Sequence, residues 1–294
     1  MIDEITLISN SLNKSIKLSK IDYSSNIILE EADLGSVQGS HKTYKGINQI
    51  GETHQGTTIN TRSVSIIGWI VGETEHQLQY HRNNLNLFIN PLQPLTLLFK
   101  KYSLTVYPDS SVKYSTDYKE NNEVMCKFMI QGTCTFPLFQ DSESEKISVA
   151  NTESKFMFPL CIPQDTGIQM GVRTPSLIAL VSNKGAIPTG FTLIFKALGK
   201  VKNPSLTNID TQEVFKINKE MVSGEMIVIN MNDGEKSIKG FLNGVEKNYF
   251  RYKDFNSSWL KLNLGDNLFR YNADTNLSAL EVEILHNNQY LEVQ

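Results

Sequence analysis

The sequence predicts a mainly β protein with one helix, arranged as two domains. Three observations predict it. Apolar and polar residues alternate with a period of two over residues 57–72 and again over 123–139. A single stretch, residues 74–90, carries a helical period. Beyond residue 175 the chain becomes short apolar runs separated by Gly, Asn, Asp and Pro clusters, at the spacing of a β-sandwich. With 294 residues, 40% of them hydrophobic and 20% charged, the chain is long enough for two packed cores.

The elements follow in order. In residues 57–72, "TTINTRSVSIIGWIVG", polar Thr61, Ser63 and Ser65 alternate with Arg62, Val64 and Ile66. Gly68 interrupts this half-buried strand, which marks a bulge or a close backbone approach. Thr74 and Gln77 have the spacing of a capping box. Leu78, Leu85, Phe88 and Ile89 then share one helix face with His81, and Asn90-Pro91 ends the helix. "LTLLFKKYSLTVYP", residues 95–108, reads as two strands around Lys101-Tyr102. A polar loop at 109–122 leads into a long strand with Val124, Cys126, Phe128 and Ile130 on one face. Residues 140–154, "QDSESEKISVANTES", are polar enough to join two domains. In the second half, Asn232-Asp233-Gly234-Glu235 between "IVI" and "SIKGFL" signals a hairpin.

Composition narrows the function. The net charge is −3, with Lys and Arg scattered, so the basic stripe needed to displace counterions from nucleic acid is missing. The N-terminus lacks a signal-peptide apolar core, and no apolar run reaches the length of a bilayer span. The expectation is therefore no nucleic-acid and no membrane partner. Cys126, Cys134 and Cys161 form no C-x-x-C and cannot all pair; they read as buried thiols of a chain folded in a reducing cytoplasm.

A search for chemistry returns no nucleophile elbow, P-loop, dinucleotide fingerprint or H-E-x-x-H. His41, His54, His76, His81 and His286 do not show metal spacing; His76 and His81 lie five apart and do not share a helix face. Glu30-Glu31, Asp141 with Glu143 and Glu145, and Asp233 with Glu235 read as solvated charges rather than a glycosidase pair. Tyr249, Phe250, Tyr252, Phe255 and Trp259 read as alternating core or interface aromatics, with a sugar-stacking platform as the competing reading. The expectation is a non-enzyme with no cofactor and no metal.

Taken in order, the motifs resemble those of the phage distal tail protein family. The N-terminal half carries R-x-V-x-I-x-G-x-I from Arg62 through Gly68, a helix ending at Asn90-Pro91, "LTLLF" and "GTCTFPLF". The C-terminal half carries "SNKGAIPTGFTLIF", "VKNPSLTNIDTQEVFKI", "SGEMIVINMNDGEKSI" with Gly224, and "SSWLKLNLGDNLFRYNAD" with Trp259, Gly265 and Asn267. Cys134, in "CTFP", stands where the family often has an acidic residue.

The resemblance implies a scaffold. It implies an N-terminal β-sandwich or split-barrel ring domain at 1–140, a linker region at 141–175 and a C-terminal galectin-like β-sandwich at 176–294. It implies a homo-hexamer at the tail tip or baseplate that joins the tail tube protein to the tail hub protein, with a receptor-binding protein as a further partner. The particle would be assembled in the bacterial cytoplasm, from a phage or from a phage-derived bacteriocin. Arg62, Gly68, Asn90, Pro91, Gly224, Trp259, Gly265 and Asn267 are then structural motif residues, and the Gly265 turn is the penultimate hairpin of the sandwich. Ring contacts are expected along exposed edges of the strands at 57–70 and 124–136, with Ile66 near such a contact. The competing function is host attachment through sugar binding by the C-terminal sandwich, and a third is glycan hydrolysis.

Overall fold

The computed structural model describes residues 2–22, 25–148, 151–154, 171–174 and 178–293, with backbone only at 151–154 and 171–174. The chain divides into two units: Met1–Ser142 with Tyr290–Gln294, and Glu143–Gln289. It is mainly β with one α-helix.

In the first unit one sheet dominates. Its order is Gln289–Tyr290, Phe139–Asp141, Tyr102–Pro108, Leu95–Phe99, Glu4–Ser9, Lys14–Ser19, Ile27–Asp33, Arg62–Val71, Met125–Cys134 and Lys113–Tyr114. Tyr102–Pro108 also pairs with Met125–Cys134, through Gly132 opposite Pro108 and Thr133 opposite Tyr107, so the sheet closes on itself like a barrel. Closure removes edges from its central strands. Inside lie Ile5, Leu7, Leu18, Ile66, Ile70, Leu97 and Phe128.

The helix, Glu75–Phe88, covers this core with Leu78, Leu85 and Phe88. Burying each such side chain stabilises by about 1.5–3 kcal/mol, which a 14-residue polar helix needs in order to persist. Thr74 Oγ1 accepts the N–H of Gln77 at 3.3 Å, as the capping box requires. The Gln77 side chain reaches one residue further back than the motif predicts and accepts from Glu73 N at 3.0 Å. Ile89 leaves helical geometry, and the Asn90 side chain accepts from Leu92 N at 3.0 Å to turn the chain at Pro91.

Several expectations need correction. The strand read as starting at Thr57 starts at Arg62; residues up to Ile59 belong to a separate hairpin, Gly39–Tyr44 with Thr53–Ile59. Arg62–Val71 is flanked on both sides by paired strands, so it offers no free edge. Ile66 is in the core, not at a contact surface. Val124 precedes its strand and is exposed, while Cys126, Phe128 and Ile130 are buried. The loop at 109–122 contains the short strand Lys113–Tyr114, whose Tyr114 hydroxyl donates to Asn86 Oδ1 of the helix at 2.9 Å.

The second unit is a β-sandwich. One sheet runs Glu145–Ser148, Leu280–His286, Thr192–Ala197, Met226–Asn230, Ser237–Leu242 and Val245–Asn248. The other runs Ile178–Asn183, Gly265–Asn272, Ser205–Asn208 and Val214–Lys216. Leu193, Phe195, Ile227, Ile229 and Ile284 of the first sheet share a core with Val181, Leu206, Phe215 and Phe269 of the second. Phe191 meets Phe269 edge to face at 5.4 Å. The Asn232–Glu235 turn joins Met226–Asn230 to Ser237–Leu242, with Glu235 N donating to Asn232 O at 3.2 Å. Of residues read as linker, Glu145–Ser148 is an edge strand of the sandwich, and Asn151–Ser154 pairs with Gly171–Thr174. The polar pattern EKIS hid this strand, because an edge strand needs only one buried face.

Candidate assembly site

Alternation along Arg62–Val71 puts Arg62 on the same inward face as Val64 and Ile66, and its side chain is 0% exposed. A buried guanidinium needs partners for its fork of donors. Nε donates to Pro137 O at 2.8 Å; Nη1 donates to Gly35 O at 3.0 Å and Leu34 O at 3.3 Å; Nη2 donates to Leu291 O. The guanidinium carbon sits 4.5 Å from the Phe139 ring centroid, and Glu292 Oε1 lies 3.7 Å from Nη2. Burial lowers the arginine's pKa and the Glu292 carboxylate raises it back in part. Arg62 thus pins three distant segments of the first unit, including the end of the chain.

Gly68 is a close approach. A Cβ there would fall 2.5 Å from Ile28 O and 2.6 Å from Phe128 Cζ. The bulge belongs to the neighbouring strand, between Leu29 and Glu31. Burial pushes the thiol of Cys134 up to about 12 and raises that of Cys126, so both stay unreactive. Cys161 lies outside the described residues.

In the second unit Gly224 and Gly265 have φ of +81° each, a conformation glycine adopts without penalty. Gly224 leads into Glu225, which is 1% exposed. Its carboxylate lies 2.7 Å from Lys219 Nζ and accepts from Tyr249 OH at 2.8 Å and Val222 N at 3.0 Å. Desolvation raises its pKa, but these partners outweigh it and hold the group below the usual carboxylate value.

Gly265 does not form a hairpin turn. It opens the strand Gly265–Asn272, which lies inside the four-stranded sheet between Ile178–Asn183 and Ser205–Asn208. Asn267 is buried there and ties the incoming loop to the strand: it accepts from Asn263 N at 2.8 Å and donates to Asn263 O at 2.8 Å and Gly265 O at 3.0 Å.

The aromatic group is not on a strand either. Phe250–Tyr252 is a short 3-10 turn, and Phe255 and Trp259 follow in a loop. Trp259 is partly buried against the sandwich core, 5.3 Å from Phe215 and 6.0 Å from Phe250.

Among the described residues no three His, Cys, Asp or Glu side chains converge in a way that could hold a metal. No described helix is long and apolar enough to cross a membrane. His76 is exposed and His81 half-buried, with His81 Nε2 2.5 Å from Asn26 Nδ2. What the surface does offer is apolar. The hairpin Gly39–Tyr44/Thr53–Ile59, which the sequence pattern did not reveal, is exposed along both strands except at half-buried Gly56, and its loop presents Ile47 and Ile50 at 98% and 101% exposure.

The chain is thus two β units, each with a buried charge at its core, and the first carries an exposed hairpin. Residues 16–136 match the phage tail protein RIFT-related domain, and residues 184–290 match the C-terminal domain of the siphovirus-type tail component family. The chain belongs to the phage distal tail protein family. The crystal structure of SPP1 Dit (gp 19.1), described as a paradigm of hub adsorption apparatus in phages infecting Gram-positive hosts, matches over 97% of this chain and 98% of that one. Its TM-score is 0.64 at 11% identity. Chains of the phage P2 baseplate in its activated conformation, with Ca and with Sr, match over the same shares at 12% identity, with TM-scores of 0.54 and 0.55. These likenesses are of fold. No curated protein matches the chain.

Proposed function

We propose that the protein forms a hexameric ring at the distal end of a phage-type tail, joining the tail tube protein to the tail hub protein. The first unit builds the ring and the sandwich projects from it. The role is structural, at the tip of the virion tail or of a phage-derived particle. The observation that carries this reading is that both tail-family domains occur in order on one chain whose fold follows SPP1 Dit nearly end to end. Light scattering on the purified chain tests it: a particle of six chains is expected, at least at high concentration or with tube protein present. A chain that stays monomeric under both conditions overturns it.

The domain division proposed for this role keeps the ring in the N-terminal unit and the sandwich in the C-terminal one. Sugar binding by the sandwich would need an open aromatic platform. Trp259 instead packs at the edge of the core, beside Phe215 and Phe250. A glycan array should therefore show no defined sugar whose binding depends on Trp259.

A further inference from the structure

The hairpin at 39–59 brings two histidines together. His41 lies on the strand Gly39–Tyr44 and His54 on Thr53–Ile59, and the two strands pair only with each other. His41 stands directly opposite Thr57. In a regular ladder His54, three residues before Thr57, would point to the other face, because side chains alternate with a period of two. The register shifts here. Lys42 pairs with Gly56, but Thr43 pairs with His54, and Gln55 is left over. A bulge of one residue re-aims the side chains beyond it. It turns His54 onto the face that carries His41, Thr43 and Thr57.

The two imidazoles then converge. Their ring centres are 5.7 Å apart, with the planes at 63°. His41 Nδ1 and His54 Nε2 each lie 2.8 Å from one atom, Thr57 Oγ1. Two imidazoles bound to one zinc ion at ~2.1 Å have ring centres about 5 Å apart, and neighbouring ligand atoms then stand about 3.0–3.4 Å from each other. The triangle of Nδ1, Nε2 and Oγ1 reaches that geometry with shifts of about half an ångström. All three side chains are exposed, so they are free to shift, and water reaches the open coordination positions. Gly39 keeps the space beside them clear: a Cβ there would stand 3.2 Å from Thr57 Cγ2 and 3.7 Å from His41 Cε1.

We propose that His41 Nδ1 and His54 Nε2 bind one transition-metal ion of the zinc type, with Thr57 Oγ1 beside it and water completing its shell. Imidazole nitrogen suits zinc, nickel and copper, whereas calcium and magnesium take oxygen ligands. Two histidines make an open site, which binds less tightly than a closed structural zinc centre of four protein ligands. Its effect is on the hairpin itself. An isolated two-stranded hairpin is marginal in water. An ion that reaches both histidines only when the strands are paired favours the paired state by mass action. The site is therefore a metal clip across the hairpin. It stands apart from the ring reading and needs no second copy of the chain. The two ligands come from different strands and meet through a bulge, so no local spacing in the sequence marks them as a metal motif.

The test uses the full chain without an affinity tag. Cys161→Ser removes one thiol, and the remaining two, Cys126 and Cys134, are buried. Titration of this parent chain with zinc chloride in a calorimeter should show one bound ion per chain. His41→Ala and His54→Ala, each alone, should weaken binding by more than about tenfold, the cost of losing merely a partner that supports a metal ligand. Both side chains are exposed, so circular dichroism should match the parent. His76→Ala, at an exposed histidine outside the hairpin, should leave binding unchanged. Nickel should bind and calcium should not. Trypsin gives a second readout at Lys42 and Lys45, both exposed on the hairpin. With zinc at ten times its dissociation constant, cleavage there should slow about tenfold in the parent and stay unchanged in His41→Ala. Absence of zinc binding overturns the site. So does binding that survives His41→Ala or His54→Ala, that disappears in His76→Ala, or that calcium matches. Binding that needs both histidines but leaves cleavage at Lys42 and Lys45 as fast as before overturns the clip.

Discussion

Both units bury a charge, and they use it differently. Arg62 in the first unit faces four backbone carbonyls that lie far apart in sequence, at Leu34, Gly35, Pro137 and Leu291. Glu225 in the second unit faces partners within 24 residues of itself, Lys219, Val222 and Tyr249. The cation therefore fixes topology, holding the ends of a closed sheet together. The anion fixes one corner of a sandwich whose two sheets already share a continuous apolar core.

That contrast can be broken most sharply at Arg62. Arg62→Ala strips the donor from buried carbonyls and should destabilise the first unit by about 4 kcal/mol, the scale for removing one partner of a buried charge network. Arg62→Lys should recover little, because a single ammonium cannot span the positions that the planar fork reaches. Denaturant melts read by a probe in the first unit should shift strongly, and those read in the sandwich much less. Equal shifts in both would show that Arg62 is not a clamp of one unit.

Glu225→Ala should cost about 3 kcal/mol, because Lys219, Tyr249 and the Val222 N–H lose their acceptor. Its pH dependence has a definite sign. The folded pKa is depressed below the unfolded value of about 4.3, so the carboxylate's contribution is complete above that value and is lost as pH falls through the folded pKa. The stability gap between wild type and Glu225→Gln should be widest at neutral pH and narrow in acid. A gap that widens in acid would mean that the group is protonated in the native state.

Gly68→Val should cost about 2 kcal/mol, as overpacking does, because its side chain meets Ile28 O and the Phe128 ring. Trimming the ring in Gly68→Ala with Phe128→Leu should recover part of the loss of Gly68→Ala. No recovery would put the strain on the backbone oxygen alone.

The helix was legible in the sequence because one polar helix face and one apolar face are written directly in the order of residues, from Thr74 to Asn90. The Arg62 strand was legible for the same reason, since alternation placed Arg62 among the inward residues. Alternation does not say whether a strand has neighbours, so Arg62–Val71 was read as an edge when it is interior. The first four strands leave no readable pattern, and the end of the fifth, Thr53–Ile59, reads as the start of the Arg62 strand. Lys14–Ser19 is mostly polar, and the hairpin at 39–59 buries neither face within its own chain, so it writes no periodicity at all. The return of Gln289–Tyr290 to the first sheet depends on a pairing with Phe139–Asp141 about 150 positions away, which no local pattern encodes. Gly265 was read as the middle of a hairpin because glycine beside Asp and Asn marks a turn. The positive φ is there, but it opens an interior strand, and Asn267 ties the incoming loop to that strand.

The smallest effect on stability is expected where the units differ most, at the exposed hairpin. Gln49 makes three hydrogen bonds at its tip, two through the side chain. They are at or near the surface, where water replaces a lost partner, so Gln49→Ala should change the melting free energy by no more than about 0.5 kcal/mol. Urea unfolding of Gln49→Ala beside the wild type checks this, with the midpoint and slope expected to be nearly unchanged. A loss above about 1 kcal/mol would mean that the order of the hairpin tip is coupled to the core of its unit.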